Sequence, residues 1–292
     1  MRLATVRYAQ QPRLVLVDGN ELWLPAPHSG WPESMLDLIA AGPERWRVLA
    51  TELSKIKRDA VRLPRDGTEW LAPIPRPNKN VMCLGWNYAE HVAESASASG
   101  RKHEPPKDPI VFTKNVTSVS GPYADVPAQA SVTQQLDWEV ELGVVIGVGG
   151  RGIARERALE HVFGYTVIND VSARDLQFRH KQYFLGKSLD GSCPMGPVIV
   201  TREEVLDPQA LDLKCWVNGE LKQLSNTHHM IFDVATIIHV LSRGMALEPG
   251  DIIATGTPSG VGFARTPPEF LKAGDLVECE IQGIGRLRNR VV

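Results

Sequence analysis

Between Asp137 and Gly147 the chain reads Asp-Trp-Glu-Val-Glu-Leu-Gly-Val-Val-Ile-Gly, and no other stretch restricts the fold as tightly. Its β-branched and apolar residues favour a strand, in which alternate side chains share a face. Glu139 and Glu141 therefore project together, while Val140, Leu142 and Val144 face the other way. Such a strand has two possible settings. On a sheet surface the glutamates form the wet face of a half-buried strand, a common arrangement. In the interior, a carboxylate pair repels itself unless a cation intervenes.

A further acid favours the second setting. Asp170 closes the strand-like run Tyr165-Thr166-Val167-Ile168-Asn169-Asp170 and supplies a third oxygen ligand. No His or Cys lies near these three acids in sequence. An all-oxygen set suits a hard cation: magnesium, manganese or calcium.

The 292 residues suffice for a substantial core and suit one large domain or two unequal ones. Hydrophobic residues at 43% and charged residues at 23% are ordinary for a soluble globular protein. A net charge of -2, with Lys and Arg scattered, offers no basic field for nucleic acid or an acidic membrane. The N-terminus carries no apolar signal core, and no apolar run approaches the roughly 18 residues that span a bilayer. We expect a cytoplasmic protein with a small-molecule partner. Cys83, Cys193, Cys215 and Cys279 lie far apart without a Cys-x-x-Cys pair, which argues against zinc, iron-sulfur and a disulfide framework.

Short strands are expected at 3–8, 13–17 and 21–24, with hairpin chemistry in Asp18-Gly19-Asn20. Ser34 can cap a helix to about Ala41, and Pro43 can open another reaching about Lys57. The alternating prolines Pro73, Pro75 and Pro77 remove backbone donors and impose an extended path. A boundary there divides a small N-terminal domain, residues 1–72, from a larger one, residues 73–292. Beyond it about ten short strands predominate, and Asn218-Gly219 and Gly283-Ile284-Gly285 read as hairpin turns. Helices are expected at 88–95, 155–162, 173–179 and 232–242. The spacing predicts an α+β, β-rich barrel or roll rather than a doubly wound parallel sheet.

Chemistry-bearing side chains recur outside the acid cluster. A helix starting near Asn87 places His91 and Glu94 on one face, where Glu94 can orient the imidazole for proton abstraction from water. The same spacing also describes an ordinary exposed helical pair. The small, polar, aperiodic segment 95–107 has the composition of a mobile loop, and it adjoins the dyad as a lid would. Ser172 can cap a helix presenting Arg174 and Gln177 to a substrate carboxylate or oxo group. In Lys187-Ser188-Leu189-Asp190-Gly191, Lys187 can serve as an electrophilic clamp with Asp190 keeping it charged, or the two can form a surface ion pair. Gly256 and Thr257 in Thr-Gly-Thr-Pro-Ser-Gly offer a bare amide and a hydroxyl to an anionic ligand, without the lysine of a P-loop.

Taken in order, the motifs Asn-Tyr-x-x-His-x-x-Glu, Asp-Trp-Glu-x-Glu-Leu, Asn-Asp-x-Ser-Ala-Arg-Asp-x-Gln, Lys-Ser-x-Asp-Gly and Gly-Thr-Pro-x-Gly-x-Gly resemble those of the fumarylacetoacetate hydrolase family. The match covers roughly residues 78–292. The resemblance implies a mixed β-roll with a small N-terminal α/β domain, usually in a homodimer. It assigns Glu139, Glu141 and Asp170 to magnesium or manganese and His91 and Glu94 to water activation. Lys187, Gln177 and Thr257 would contact substrate. Larger eukaryotic members add a carboxylate ligand just before the His motif; here only Cys83-Leu84-Gly85 stands there, so three carboxylates plus water or substrate are expected. Family members act on 2-oxo acids through an enolate. The presence of both dyad members favours hydrolysis of a carbon-carbon bond in an acylpyruvate or related β-diketo acid. Isomerisation of hydroxymuconate-type dienes, decarboxylation of oxaloacetate and hydration of 2-oxo-enoates use the same enolate. A β-rich metal-binding protein without catalysis is the alternative of another class.

Overall fold

A computed structural model describes residues 1–100 and 104–292. The N-terminal part forms the meander β1 (Arg2–Tyr8), β2 (Gln11–Asp18) and β3 (Glu21–Leu24). Three helices follow: α1 (Met35–Ala40), α2 (Gly42–Thr51) and α3 (Leu53–Arg58). Ser34 caps the first through a reciprocal hydrogen bond with Asp37, as its position predicts. The second helix opens with Pro43 near its start, but the chain breaks at Glu52, so two helices stand where one was expected. The strands β4 (Val61–Leu63) and β5 (Trp70–Leu71) complete this part.

The rest of the chain is strand-rich. It contains β6 (Val81–Gly85), α4 (Ala89–Ser99), β7 (Ile110–Lys114), β8 (Val119–Ser120) and β9 (Leu136–Asp137). Next come β10 (Val140–Ile146), β11 (Val162–Asn169), β12 (Ser172–Ala173), α5 (Arg174–Arg179), α6 (Phe184–Lys187) and β13 (Cys193–Thr201). The chain ends with β14 (Asp212–Val217), β15 (Glu220–Asn226), α7 (Val234–Ser242), β16 (Ile252–Ala254), β17 (Leu276–Ile281) and β18 (Gly285–Arg290). Residues 155–161 form a 3-10 helix rather than an α-helix.

The large sheet runs β4-β3-β2-β1-β13-β11-β10-β16-β6-β7, with β5 and β8 on side branches. The N-terminal strands thus continue the large sheet, because Arg2 and Leu3 pair with Val200 and Ile199. A separate four-stranded sheet runs β15-β14-β17-β18. This mixed α+β, strand-rich architecture agrees with the expected fold class.

In β10 both faces are buried. Val140, Leu142, Val144 and Ile146 join one apolar core, and Val145 joins a second that includes Cys83, Ile168 and Met195. Glu139 is 4% exposed and Glu141 is fully enclosed, so the solvated-face setting is excluded. All four cysteines are buried and free. No helix among the described residues is long and apolar enough to cross a membrane.

Helix α4 continues through Ser99 and ends with Gly100 in the left-handed conformation. Residues 95–99 of the expected loop are therefore helical, since the Ala-Ser alternation with its high-propensity alanines extends the helix. Residues 101–103 of that expected lid lie outside the described residues.

Candidate active site

Antiparallel pairing of β10 with β11 sets the acid cluster. Val140 opposes Asn169 and Glu141 opposes Ile168, which brings Glu139 beside Asp170. The Asp170 amide donates to Glu139 O at 2.9 Å, and the Glu139 amide donates to Asn169 Oδ1 at 3.0 Å. Carboxylate oxygens of Glu139, Glu141 and Asp170 all lie within 4.8 Å of one another, and all three residues are buried. One oxygen of the set lacks a partner. Glu141 Oε2 accepts from the Gly256 amide at 2.8 Å, whereas buried Oε1 has no hydrogen bond. A buried carboxylate oxygen left unpaired is costly. Together with two further carboxylates at this distance, it fits a divalent ion with oxygen ligands.

Cations surround the cluster. Lys187 Nζ donates to Glu139 Oε2 at 2.8 Å and to Asp170 Oδ2 at 2.9 Å. Arg174 donates through Nε to Asp137 at 2.8 Å and pairs through its outer nitrogen with Glu139 at 2.7 Å. Burial alone would raise the Glu139 pKa, yet Lys187 and Arg174 bring it down to about 2. Glu141 goes the opposite way: burial, then the charges of Asp170 and Glu139, push it well above the usual carboxylate range. Burial disfavours the Lys187 ammonium, but Asp170 and Glu139 outweigh it and raise its pKa. Lys187 is therefore a persistent cation, suited to stabilising charge rather than taking a proton.

On α4, His91 Nδ1 and Glu94 Oε1 stand 2.7 Å apart, and Glu94 Oε2 accepts from the Gly260 amide at 2.8 Å. Glu94 thus has both oxygens engaged, and Nε2 is the imidazole nitrogen left to the cavity that His91 lines. This cavity measures about 90 Å³; Glu139, Lys187, Arg174, Gln177 and Thr257 share its wall with His91. Leu84, Phe112, Phe178 and Phe263 supply its apolar surface. Such a volume is well below the roughly 300–1,000 Å³ of a pocket for drug-sized ligands.

Other predicted residues already have protein partners. Arg174 is engaged by Asp137, Glu139 and Gln177 Oε1 while also lining the cavity. Its own helix starts at Arg174 behind the N-cap Ala173, without a side-chain cap; Ser172 instead donates to Asp170 O at 2.8 Å. Asp190 is exposed, and the acids beside Lys187 are Glu139 and Asp170. The Thr257 hydroxyl donates to Val140 O at 3.0 Å and accepts from Gln223 Nε2 at 2.8 Å. Gly256 holds φ +97, and a Cβ there would stand 2.8 Å from Asn87 Cβ; only glycine brings its amide to Glu141.

Three supporting residues went unread in the sequence. Lys114, fully buried, donates to Asp170 Oδ1 at 2.7 Å and to Val171 O at 3.1 Å. Asn87 binds Thr255 O at 2.7 Å and both backbone groups of Phe232, tying the Gly256 loop to the start of α4. Asp137 accepts from the amides of Trp138, Gly262 and Phe263 as well as from Arg174. The last two lie inside quoted motifs, which was a usable signal; Lys114 closes an ordinary-looking strand.

A model of the fumarylacetoacetate hydrolase C-terminal domain matches residues 80–292. The chain belongs to the fumarylacetoacetate hydrolase family. Among similar proteins of this family, oxaloacetate tautomerase YisK of Bacillus subtilis is 51% identical over 220 residues, covering 75% of this chain and 72% of that protein. A mitochondrial oxaloacetate tautomerase of Bos taurus is 43% identical over 290 residues, covering 96% and 88%. Among solved structures, a fumarylacetoacetate hydrolase from Exiguobacterium antarcticum has a TM-score of 0.85 at 42% identity, covering 100% of this chain and 99% of that one. A maleylpyruvate hydrolase from Sphingobium, in complex with manganese(II) and pyruvate, has a TM-score of 0.78 at 31% identity with the same coverage.

Proposed function

We propose that this protein is a metal-dependent oxaloacetate tautomerase, interconverting the keto and enol forms of a four-carbon 2-oxo diacid by proton transfer at C3. The observation that carries the reading is its 43% identity to a mitochondrial oxaloacetate tautomerase over 96% of the chain. The small cavity supports a short substrate, and the His91–Glu94 pair supports proton transfer.

In this reading His91 Nε2 takes a proton from C3, the released electron pair forms the C2–C3 double bond, and the carbonyl electrons move to the C2 oxygen. The oxygen then takes a proton from the imidazolium or water, which yields the enol. Glu94 holds the ring orientation and stabilises its cationic form. Lys187, on the wall shared with Glu139, adds positive charge for the developing enolate oxygen. A divalent ion held by Glu139, Glu141 and Asp170 would polarise the oxo group as a Lewis acid.

The hydrolase expected from the sequence is the second reading, supported by the likeness to the Sphingobium maleylpyruvate hydrolase. It needs the same enolate, with His91 activating water for attack on a distal carbonyl. One assay separates the two. Manganese-loaded protein is given oxaloacetate or an acylpyruvate, and enol absorbance and pyruvate are followed together. Tautomerisation alters enol absorbance of oxaloacetate without pyruvate; pyruvate from oxaloacetate indicates decarboxylation, and faster pyruvate release from the acylpyruvate indicates hydrolysis. Either of the last two as the dominant activity overturns the tautomerase reading.

A homodimer belongs to the same proposal. Phe178, Phe184 and Leu185 expose apolar surface on α5 and α6 next to the cavity, as an interface would require. A monomeric mass by light scattering would reject it.

A further inference from the structure

We propose that Ser95 reads the far end of the substrate, its hydroxyl donating a hydrogen bond to the distal carboxylate of a 2-oxo diacid. This inference rests on the oxaloacetate reading and adds to it a residue that selects a diacid over a monoacid.

Ser95 sits on α4 at 4% exposure and lines the same cavity as His91 and Gln177. Its Oγ has no hydrogen-bond partner. A serine within a helix ordinarily returns its hydroxyl to a carbonyl of the preceding turn or turns it to water. Ser95 does neither. A buried unpaired hydroxyl is destabilising, and here a ligand atom in the cavity is the partner that would complete it. A second neutral donor stands in the same wall. Arg174 donates to Gln177 Oε1 at 2.9 Å, which orients the amide so that its Nε2 protons remain for the cavity.

His91 and Ser95 line one cavity, so a single short ligand can meet both. His91 and Ser95 are four residues apart on one face of α4, a rise of about 6 Å along the helix. With the C3 carbon against His91, the C4 carboxylate is the next group along the substrate, and Ser95 is an unpaired donor lining the same cavity. A substrate ending in a methyl group at that point would leave the Ser95 hydroxyl unpaired. Sites built to hydrogen-bond a substrate group discriminate strongly against analogues that lack it.

The test uses full-length, manganese-loaded protein and two substrates: oxaloacetate, and 2-oxobutyrate, which has a C3 methylene but no distal carboxylate. Solvent-deuterium exchange at C3, followed by NMR, gives kcat/KM for each. Ser95→Ala is expected to lower the preference for oxaloacetate over 2-oxobutyrate roughly tenfold or more, mainly through KM, as loss of a hydrogen bond to a charged group requires. Ser95→Thr, which keeps the hydroxyl, should retain most of the preference. An unchanged preference in Ser95→Ala, or equal losses in both variants, overturns the assignment. Titration calorimetry with the same two compounds reads affinity apart from turnover. A wild-type protein that binds oxaloacetate without exchanging it contradicts the tautomerase reading, while the Kd ratio of Ser95→Ala to wild type still decides the role of Ser95. Failure of the wild type to bind oxaloacetate overturns both.

Discussion

Lys114 Nζ stands 2.7 Å from Asp170 Oδ1, and neither side chain has any solvent-exposed surface. The two oxygens of Asp170 are thereby divided, Oδ1 toward Lys114 at the end of β7 and Oδ2 toward Lys187 beside the acid cluster. A strand that contributes nothing else to the cluster thus sets the orientation of one of its three acids.

Lys114→Met should leave Asp170 buried without one of its partners and cost about 3–5 kcal/mol, the usual effect of breaking an enclosed ion pair. Urea unfolding of the metal-free protein measures this loss. Adding Asp170→Asn should recover part of it, because the buried charge is then gone. Strictly additive losses would show that the pair is not coupled.

Glu94→Gln should lower turnover by roughly two orders of magnitude or more, within the range typical of general acid-base catalysis. An amide cannot accept from both the imidazole and the Gly260 amide, which the carboxylate does now. Manganese affinity, measured by electron paramagnetic resonance, should stay near the wild-type value, since Glu94 lies outside the acid cluster. A parallel fall in metal binding and turnover would remove the dyad from the chemistry.

Stability without metal should fall as pH rises above about 4.3, the ordinary glutamate value. Burial and the neighbouring acids raise the Glu141 pKa, so the native state keeps a proton that the unfolded chain releases. Glu139, brought to about 2, acts oppositely: its contribution is full above about 4.3 and is lost as pH falls toward 2. Metal binding requires Glu141 to be ionised, so the melting-temperature gain on adding manganese should be greater near about pH 8 than near about pH 6. Glu141→Gln should raise the metal-free melting temperature and remove most of that gain. Calorimetric melting with and without manganese checks both.

Gly260→Ala should impair folding and catalysis together. Gly260 holds φ +100, and a Cβ there would lie 2.1 Å from Lys222 O. The loop would have to move, carrying away the amide that holds Glu94. Turnover is expected to fall by more than the loss of folded protein accounts for, as read by circular dichroism on the same samples.

Local patterns revealed the acid cluster because its spacing is a property of strands: alternation put Glu139 and Glu141 together, and the following motif supplied Asp170. His91 and Glu94 were legible for the same reason on a helix. What escaped depends on pairing across long chain distances. Lys114 looks like a solvated strand end until β7 is laid beside β6 and its ammonium reaches Asp170, 56 positions away. Likewise, nothing local in Arg2–Tyr8 announces that it pairs with β13 and extends the main sheet. The partners of Arg174 and Lys187 also come from distant stretches: Asp137 and Glu139 engage Arg174, and Glu139 and Asp170 rather than Asp190 flank Lys187.

Gln223 shows how the second sheet enters the chemistry. From β15 it accepts from the Val140 amide, next to Glu139, and donates to Thr257 Oγ1 and Pro258 O. The four-stranded sheet therefore acts as a jig: it supplies none of the acids, yet it sets the gap between the strand that bears them and the loop that closes over them. Substitutions in its packing, far from any reacting atom, should be felt as altered catalytic alignment before they are felt as unfolding.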